Sequence, residues 1–502
     1  MTTNHADELR CKLNQAIDRA VLLRGSYIDD IRHFSRDRKL PLDALICFLL
    51  TMTGGTLTRE LYDAGIEMAA SSFVDRRKRV DNSCFWNLMK HFNDLCDDPA
   101  TLKGYRLWAI DGSTIPCPRN PSSSNHFKSE TNPKGWNNTH ANLVFDILNQ
   151  TFVDCYMGKD EISSRIAHDE QGALCALIYK RKYREPTIVV LDRGYESYNT
   201  IAHLQNNPNL YFVLRVKQDK AALRPVRELP MEELDRNLEW TITTRQTNEA
   251  KEKRWIFLQT GSKKGKTNSP GTRITRWDFK SPVFPDVYPM TCRAVRFMLD
   301  SGQYETLLTN LSRNEFSISD LAEIYHMRWK IETNIRFLKY CVGLLNLHSR
   351  TDELIMQEIY AHLTMYNFCT RICREIEIPQ KLENKYQYKI DMTMAIYLCK
   401  KFFRDSDFSG EKLVRDIKRY VQPIRPNRAD GRPSFQHHHT AIDQIGQPPK
   451  KIFRVRDGQG RGEAHKAAPP EQCRQGRFNH VVSPAGCRRY RVSRGGESCG
   501  AV

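Results

Sequence analysis

The chain has 502 residues, 77 Lys and Arg against 59 Asp and Glu, a net charge of +18 and a pI near 9.2, a balance that favours a polyanionic partner, nucleic acid foremost. Its 15 cysteines are odd in number and form no C-x-x-C pair, which speaks against a disulfide framework or a thiolate zinc site and for a reducing cytoplasm. The longest apolar run, residues 44–50, is far too short to span a bilayer, and residues 1–7 lack the layout of an export signal, so a cytoplasmic location without a membrane is expected.

Residues 1–100 read as a helical region. Residues 7–23 have helical apolar spacing, and residues 42–62 are broken at Gly54 and Gly55. A short helix over residues 71–80 opens on two serines and ends on Arg76, Arg77, Lys78 and Arg79. Such a basic end suits DNA phosphates, and equally an exposed turn on a helical bundle.

The period changes at residue 101. Residues 105–114 carry a short apolar run that ends on Asp111 and Gly112, the way a buried strand delivers a carboxylate at its end. Residues 141–147 and 151–156 read as a hairpin and residues 161–183 as a helix. Residues 187–191 form a fully apolar strand that again ends in an acid, Asp192, followed by Arg193, Gly194 and Tyr195. A helix at 198–205 and a strand at 210–216 follow. The class is α/β: a mixed sheet flanked by helices, begun by residues 101–216 and completed by residues 313–420. Between them, residues 217–312 favour strands at 238–244, 254–258, 273–279, 292–298 and 304–309, and read as a β-rich insertion. The Gly- and Lys-rich loop at 261–271 within it has no P-loop spacing.

Residues 318–339 read as one helix with a polar cap at its start and no Pro or Gly before Gly343. With Tyr325 at 0°, Arg328 falls at about −60°, Glu332 at about −20°, Lys339 at about −40° and Trp329 at about 40°. One stripe therefore carries a phenol, a guanidinium, a carboxylate and an ammonium. Taken alone it is an ordinary charged face. Further helices are expected at 353–376, 392–403 and 411–420. Residues 421–502 hold 15 Lys and Arg against 6 Asp and Glu, half of the chain's excess, with 10 glycines, 8 prolines and no period; they read as a disordered basic tail in which His437, His438 and His439 are a solvated run.

Asp111, Asp192 and Glu332 lie 81 and 140 residues apart. Each aspartate alone could be a turn residue beside its glycine. Together, three carboxylates meeting at one point repel one another unless divalent cations sit between them, and an oxygen-only set suits Mg²⁺ or Mn²⁺ and in-line phosphoryl transfer.

These residues resemble the DDE transposases of the IS4 insertion-sequence family. The helix signature, Tyr, two residues, Arg, three residues, Glu, six residues, Lys, is met by Tyr325, Arg328, Glu332 and Lys339. The stretch Asp192-Arg193-Gly194-Tyr195 looks like the second aspartate motif and Ile110-Asp111-Gly112-Ser113-Thr114 like the first. The resemblance covers about residues 30–428 and implies an RNase H-like core, Mg²⁺-dependent cleavage at transposon ends through a hairpin, strand transfer into double-stranded target DNA, and a homodimer on paired ends. Asp111, Asp192 and Glu332 would be catalytic and hold metal. Tyr325, Arg328, Trp329, Lys339, Arg193 and the Arg76, Arg77, Lys78, Arg79 run would meet DNA. Residues 429–502 do not look like the family's C-terminus, as a shifted or fused reading frame would produce, and a DNA-binding remnant that no longer cleaves stays open beside the active enzyme. Truncation after Arg428 should leave a cooperatively folded protein and reduce the salt slope of non-specific DNA binding, read by fluorescence anisotropy across a salt series.

Overall fold

A computed structural model describes residues 2–30, 32–34, 40–96, 99–157, 170–180, 183–217, 221–258, 277–279, 286–381 and 383–425. The loop at 261–271, most of the strand expected at 273–279, the start of the helix expected from 161 and the tail beyond 425, with its three histidines, lie outside the described residues. The chain divides into two compact units, residues 1–382 with 388–422 and residues 383–387 with 423–502. The first carries every residue singled out above as a candidate.

That unit begins with helices α1 (Thr2–Leu22), α2 (Leu42–Thr51), α3 (Leu57–Asp63), α4 (Ala70–Arg77) and α5 (Ser83–Leu95). Helix α2 is apolar on most of its circumference because Leu42, Leu45, Ile46, Phe48, Leu49 and Leu50 are all buried. The break before α3 is fixed by Gly54, at φ +90, where a Cβ would also meet Asn346 Nδ2 at 2.8 Å.

The sheet follows in chain order as β1 (Arg106–Cys117), β2 (His126–Phe127), β3 (Trp136–Asp146), β4 (Thr151–Met157), α6 (Glu170–Tyr179), β5 (Thr187–Leu191), α7 (Tyr198–Gln205), β6 (Leu210–Val216), α8 (Arg224–Arg227), β7 (Leu234–Thr243), α9 (Asn248–Glu252), β8 (Ile256–Phe257), β9 (Val287–Met298) and β10 (Tyr304–Thr309). These strands make one 10-stranded mixed sheet in the order β2-β3-β1-β5-β6-β10-β9-β7-β8, with β4 also on β3. Strands β1, β5 and β6 are mutually parallel at its centre. Side chains alternate across the sheet with period two. Leu107, Ala109, Ile188, Val190 and Val213 enter one core, and Trp108, Ile110, Val189, Leu191, Phe212 and Leu214 the other. Helices α6 and α7 cover the second face. The first is covered by α10 (Ile318–Met327), α11 (Trp329–Phe337) and α12 (Asp352–Arg374), with α13 (Met392–Arg404) and α14 (Gly410–Arg419) beyond them. This is the mixed α/β architecture expected, a mixed sheet flanked by helices.

The β-rich stretch does not build a sheet of its own. Strand β10 pairs antiparallel with β6, Thr309 opposite Val213 and Thr306 opposite Val216, and β9 and β7 continue outward from it. The free edge of β6 would otherwise leave its backbone donors and acceptors unpaired, and the inserted strands satisfy them.

Helix α4 is docked by the basic run expected to meet DNA. Arg77 is fully buried: Nη1 pairs with Glu358 Oε1 at 2.8 Å, Nε donates to Gln357 Oε1 at 3.1 Å, and Nη2 donates to Leu354 O at 2.8 Å. The Gln357 amide donates back to Arg77 O and Val80 O. Burial opposes the charge of Glu358, but Arg77, His348 and Ser349 outweigh it and hold the carboxyl well below its usual range. Assignment of Arg77 to DNA is therefore corrected: a guanidinium closed in by α12 cannot reach a phosphate. Arg77→Ala should lower the urea-derived unfolding free energy by about 3–5 kcal/mol, since it strands a buried carboxylate. Lys78→Ala, whose side chain is exposed beside Asp75, should change it by no more than about 0.5 kcal/mol.

Candidate active site

Strands β1 and β5 set the first two carboxylates against each other. Arg106 lies opposite Thr187 and Ala109 opposite Val190, so the same register carried two residues further brings Asp111 alongside Asp192. Asp192 directly follows β5 and caps a short 3₁₀ turn, Arg193–Tyr195, accepting from Arg193 N–H at 2.7 Å. Asp111 is not at a strand end, as its glycine neighbour suggested. Strand β1 runs on to Cys117 because β3 stays paired with it from Trp108 to Cys117. Only β5 stops, and the end of β5 opens a notch beside the middle of β1.

The signature helix is interrupted. Helix α10 ends at Met327 and α11 starts at Trp329, with Arg328 between them at φ −53, ψ −36. Arg328 N–H donates to Tyr325 O and Ile331 N–H to Arg328 O, both at 3.0 Å; these i→i−3 bonds tighten one turn. A π-helical turn, Leu338–Val342, then carries Lys339 and ends at Gly343 with φ 113. The regular 100° wheel therefore does not hold along the whole stretch, since one turn is overwound and the next underwound.

Its polar residues nevertheless meet the aspartates. Tyr325 Oη donates to Asp192 Oδ1 at 3.3 Å, and Arg328 Nη2 pairs with Glu332 Oε1 at 2.8 Å. Tyr325 and Arg328 are both 3% exposed, so in the DNA-free protein they face carboxylates rather than solvent. The Arg328 guanidinium carbon sits 5.7 Å from the Tyr325 ring centre and 5.2 Å from that of Trp329. Burial opposes the charge of Arg328, yet Tyr325, Glu332 and Asp192 raise its pKa. Burial lowers the pKa of Lys339, against the pull of Asp111. Trp329 is 51% exposed beside this cluster, and Arg193 is exposed next to Asp192. Of the earlier basic run, Arg76 is turned inward, its Nε donating to Leu40 O at 2.6 Å and its guanidinium lying over the Phe34 ring. Lys78 is exposed and Arg79 half-buried.

Sequence reasoning missed three members of the site. Glu170 opens α6 and lies against Gly112, next to Asp111, and Gly194, two residues beyond Asp192. His140 on β3 is beside it. Tyr195 is 1% exposed with a hydroxyl that has no hydrogen-bond partner among the described residues. Nothing in the sequence separates Glu170 from any acid in a first helical turn. Among the described residues, the one group of three whose ligand atoms lie within 4.8 Å of one another is Cys175, His203 and Asp278; the carboxylates of Asp111, Asp192 and Glu332 are not drawn that close together. Both His203 nitrogens there are already bonded, to Tyr179 Oη at 2.8 Å and Asp278 Oδ2 at 2.9 Å, so a hydrogen-bond network accounts for the group.

Burial pushes the Asp111 carboxyl up to about 6; Arg328 and the Gly112 N–H pull it down, Glu332 and Glu170 push it up. Half-buried oxygen donors of one sign, with Glu332 adding to the cost of charge on Asp111, fit a hard divalent cation that Asp111, Asp192 and Glu332 would hold. The raised value also fixes a sign. A carboxyl that binds its proton more tightly folded than unfolded favours the fold at low pH, an advantage lost as pH rises from about 4 through about 6. In metal-free buffer, Asp111→Asn should be more stable than wild type at pH 8, by on the order of 1–2 kcal/mol. The difference should vanish near pH 4, as followed by thermal unfolding.

No helix among the described residues is long and apolar enough to cross a membrane. A comparison with curated proteins found no match. Among solved structures, the chain is similar to piggyBac transposase in a cryo-EM structure of its synaptic complex with hairpin DNA, with 12% identity, 85% of each chain covered and a TM-score of 0.37. The transposase DDE domain family matches residues 102–368, more than half of the chain and a span that contains Asp111, Asp192 and Glu332. The chain belongs to that family, whose members are DNA phosphoryl-transfer enzymes that use divalent metal ions.

Proposed function

We propose that this protein is a transposase of the IS4 type, cleaving DNA at the ends of its insertion sequence and joining those ends to target DNA. The observation that carries the reading is the β1–β5 register, which sets Asp111 beside Asp192 under the Arg328–Glu332 pair. Asp111, Asp192 and Glu332 would hold Mg²⁺, or Mn²⁺, which when bound activates the attacking oxygen and stabilises the leaving one. The protein's own groups prepare that chemistry. The sheet carries Asp111 on β1 and Asp192 on the turn that directly follows β5, and α11 brings the third carboxylate from the face above. Tyr325 holds Asp192 in orientation by its hydroxyl. Arg328 balances Glu332 and, buried between Tyr325 and Trp329, keeps a fork of donors ready for phosphate oxygens. Trp329 offers an exposed ring for a nucleotide displaced from the stack. Lys339 and Arg193 add positive charge along the strand being cut. Two copies of the chain, each on one end, would make the paired assembly.

The test is a time course on end-labelled duplex carrying the inverted repeat that flanks the gene, resolving nicked, hairpin and blunt products. Asp111→Asn, Asp192→Asn and Glu332→Gln should each cost more than the roughly 10–100-fold that loss of an outer-shell partner costs a metal site, with gel-shift affinity preserved. Lys339→Ala should slow the hairpin stage more than the first nick. Wild-type protein that binds the ends but yields no nick in Mg²⁺ or Mn²⁺ would instead identify a DNA-binding remnant.

A further inference from the structure

Glu170 reaches the notch at the end of β5 from the α6 side. A Cβ at position 112 would lie 2.8 Å from its Oε1, and one at position 194 would lie 2.9 Å from its Oε2. Its two oxygens thus fill the spaces that side chains would take one residue after Asp111 and two residues after Asp192. At position 194 that oxygen is the one atom within 4 Å of such a Cβ; at position 112 His140 Nε2 is also close, at 2.6 Å. Gln171 anchors the start of α6 here, its Nε2 donating to Gly194 O at 3.2 Å. The Glu170 carboxylate is half-buried, and among the described residues no donor hydrogen-bonds it. Its oxygens are therefore free to ligate a group that the described residues do not supply. Tyr195 supplies the independent sign that something belongs in this space. Its hydroxyl is buried and unpartnered among the described residues, and besides burial the charges acting on it are, in order, Glu170, Asp111, Asp192 and, in the opposite sense, Arg328.

We propose that Glu170 is a fourth carboxylate of the cation site, entering from the sheet face opposite Glu332 through the gap left by Gly112 and Gly194. This rests on the reading of Asp111 and Asp192 as cation ligands. It assigns the two glycines a physical role: each leaves room for one Glu170 oxygen beside an aspartate. Asp111 and Glu332 then meet the cation from one face of the sheet and Glu170 from the other, so it is enclosed rather than perched on a surface.

The experiment is calorimetric titration of the full chain, without DNA, with Mn²⁺. Glu170→Gln keeps the shape and removes the charge; its Mn²⁺ affinity should fall by about tenfold or more, while its metal-free unfolding temperature stays equal or rises as a repelling charge is lost. Gly194→Ala should weaken Mn²⁺ binding in the wild-type background, because its Cβ displaces only Glu170, and should add nothing to Glu170→Ala. An unchanged affinity in Glu170→Gln, with Asp111→Asn and Asp192→Asn losing theirs, overturns this assignment and spares the parent reading. A wild-type chain that takes up no Mn²⁺ overturns both. If Glu170→Gln loses affinity while the two aspartate variants keep it, Glu170 serves a separate site and the proposal fails. Should Glu170→Gln not fold, the Gly194→Ala and Glu170→Ala cycle decides the matter alone.

Discussion

Negative charge gathered at the end of one short strand is the constraint to which the rest of the site responds. The parallel ladder of β1 and β5 keeps Asp111 and Asp192 close, because Asp111 sits within β1 and Asp192 directly follows the last residue of β5. Burial raises the cost of ionising Asp111, and Glu332 and Glu170 add to it. Arg328 offsets part of this by pairing with Glu332, and Tyr325 takes one oxygen of Asp192. These two side chains hold the carboxylates in place in the DNA-free protein, and they are the same groups suited to a DNA strand.

The sheet that carries this site is long and continuous. The strands that follow β6 could have formed a separate layer. Their pairing through β10 instead extends the core, so the parallel centre is flanked on both sides by antiparallel strands. On the helical side, α12 is buried on nearly all of its surface and ties α4 down through Arg77, Gln357 and Glu358. A basic run thus contributes a structural clamp at Arg77 and turns Arg76 inward, while Lys78 is exposed and Arg79 half-buried. Charge in a sequence does not state which of its members faces water.

Much was legible from residue order. Apolar runs ending in Asp111 and Asp192, the hairpin, and the spacing of Tyr325, Arg328, Glu332 and Lys339 are local patterns, and local chemistry dictates them: alternation for strands, a capped amphipathic run for helices. The capping box of Ser317 and Asp320 starts α10 where the sequence placed a helix start. Wheel geometry went less far, because the helix tightens by a turn at Arg328 and widens at Lys339.

The sequence alone determined the class of the fold, the order of its acids and the chemistry of its signature residues, since each depends on residue type and short-range period. Only the tertiary structure decided the register that brings Asp111 to Asp192, the burial of Arg77, the place of the inserted strands and the approach of Glu170. All four depend on which distant segments pair and on where one strand stops while its neighbour continues, and no local period encodes that. Glu170 makes the reason plain: its meaning comes from the spaces at Gly112 and Gly194, positions 58 and 24 residues away in the chain and adjacent only in the fold.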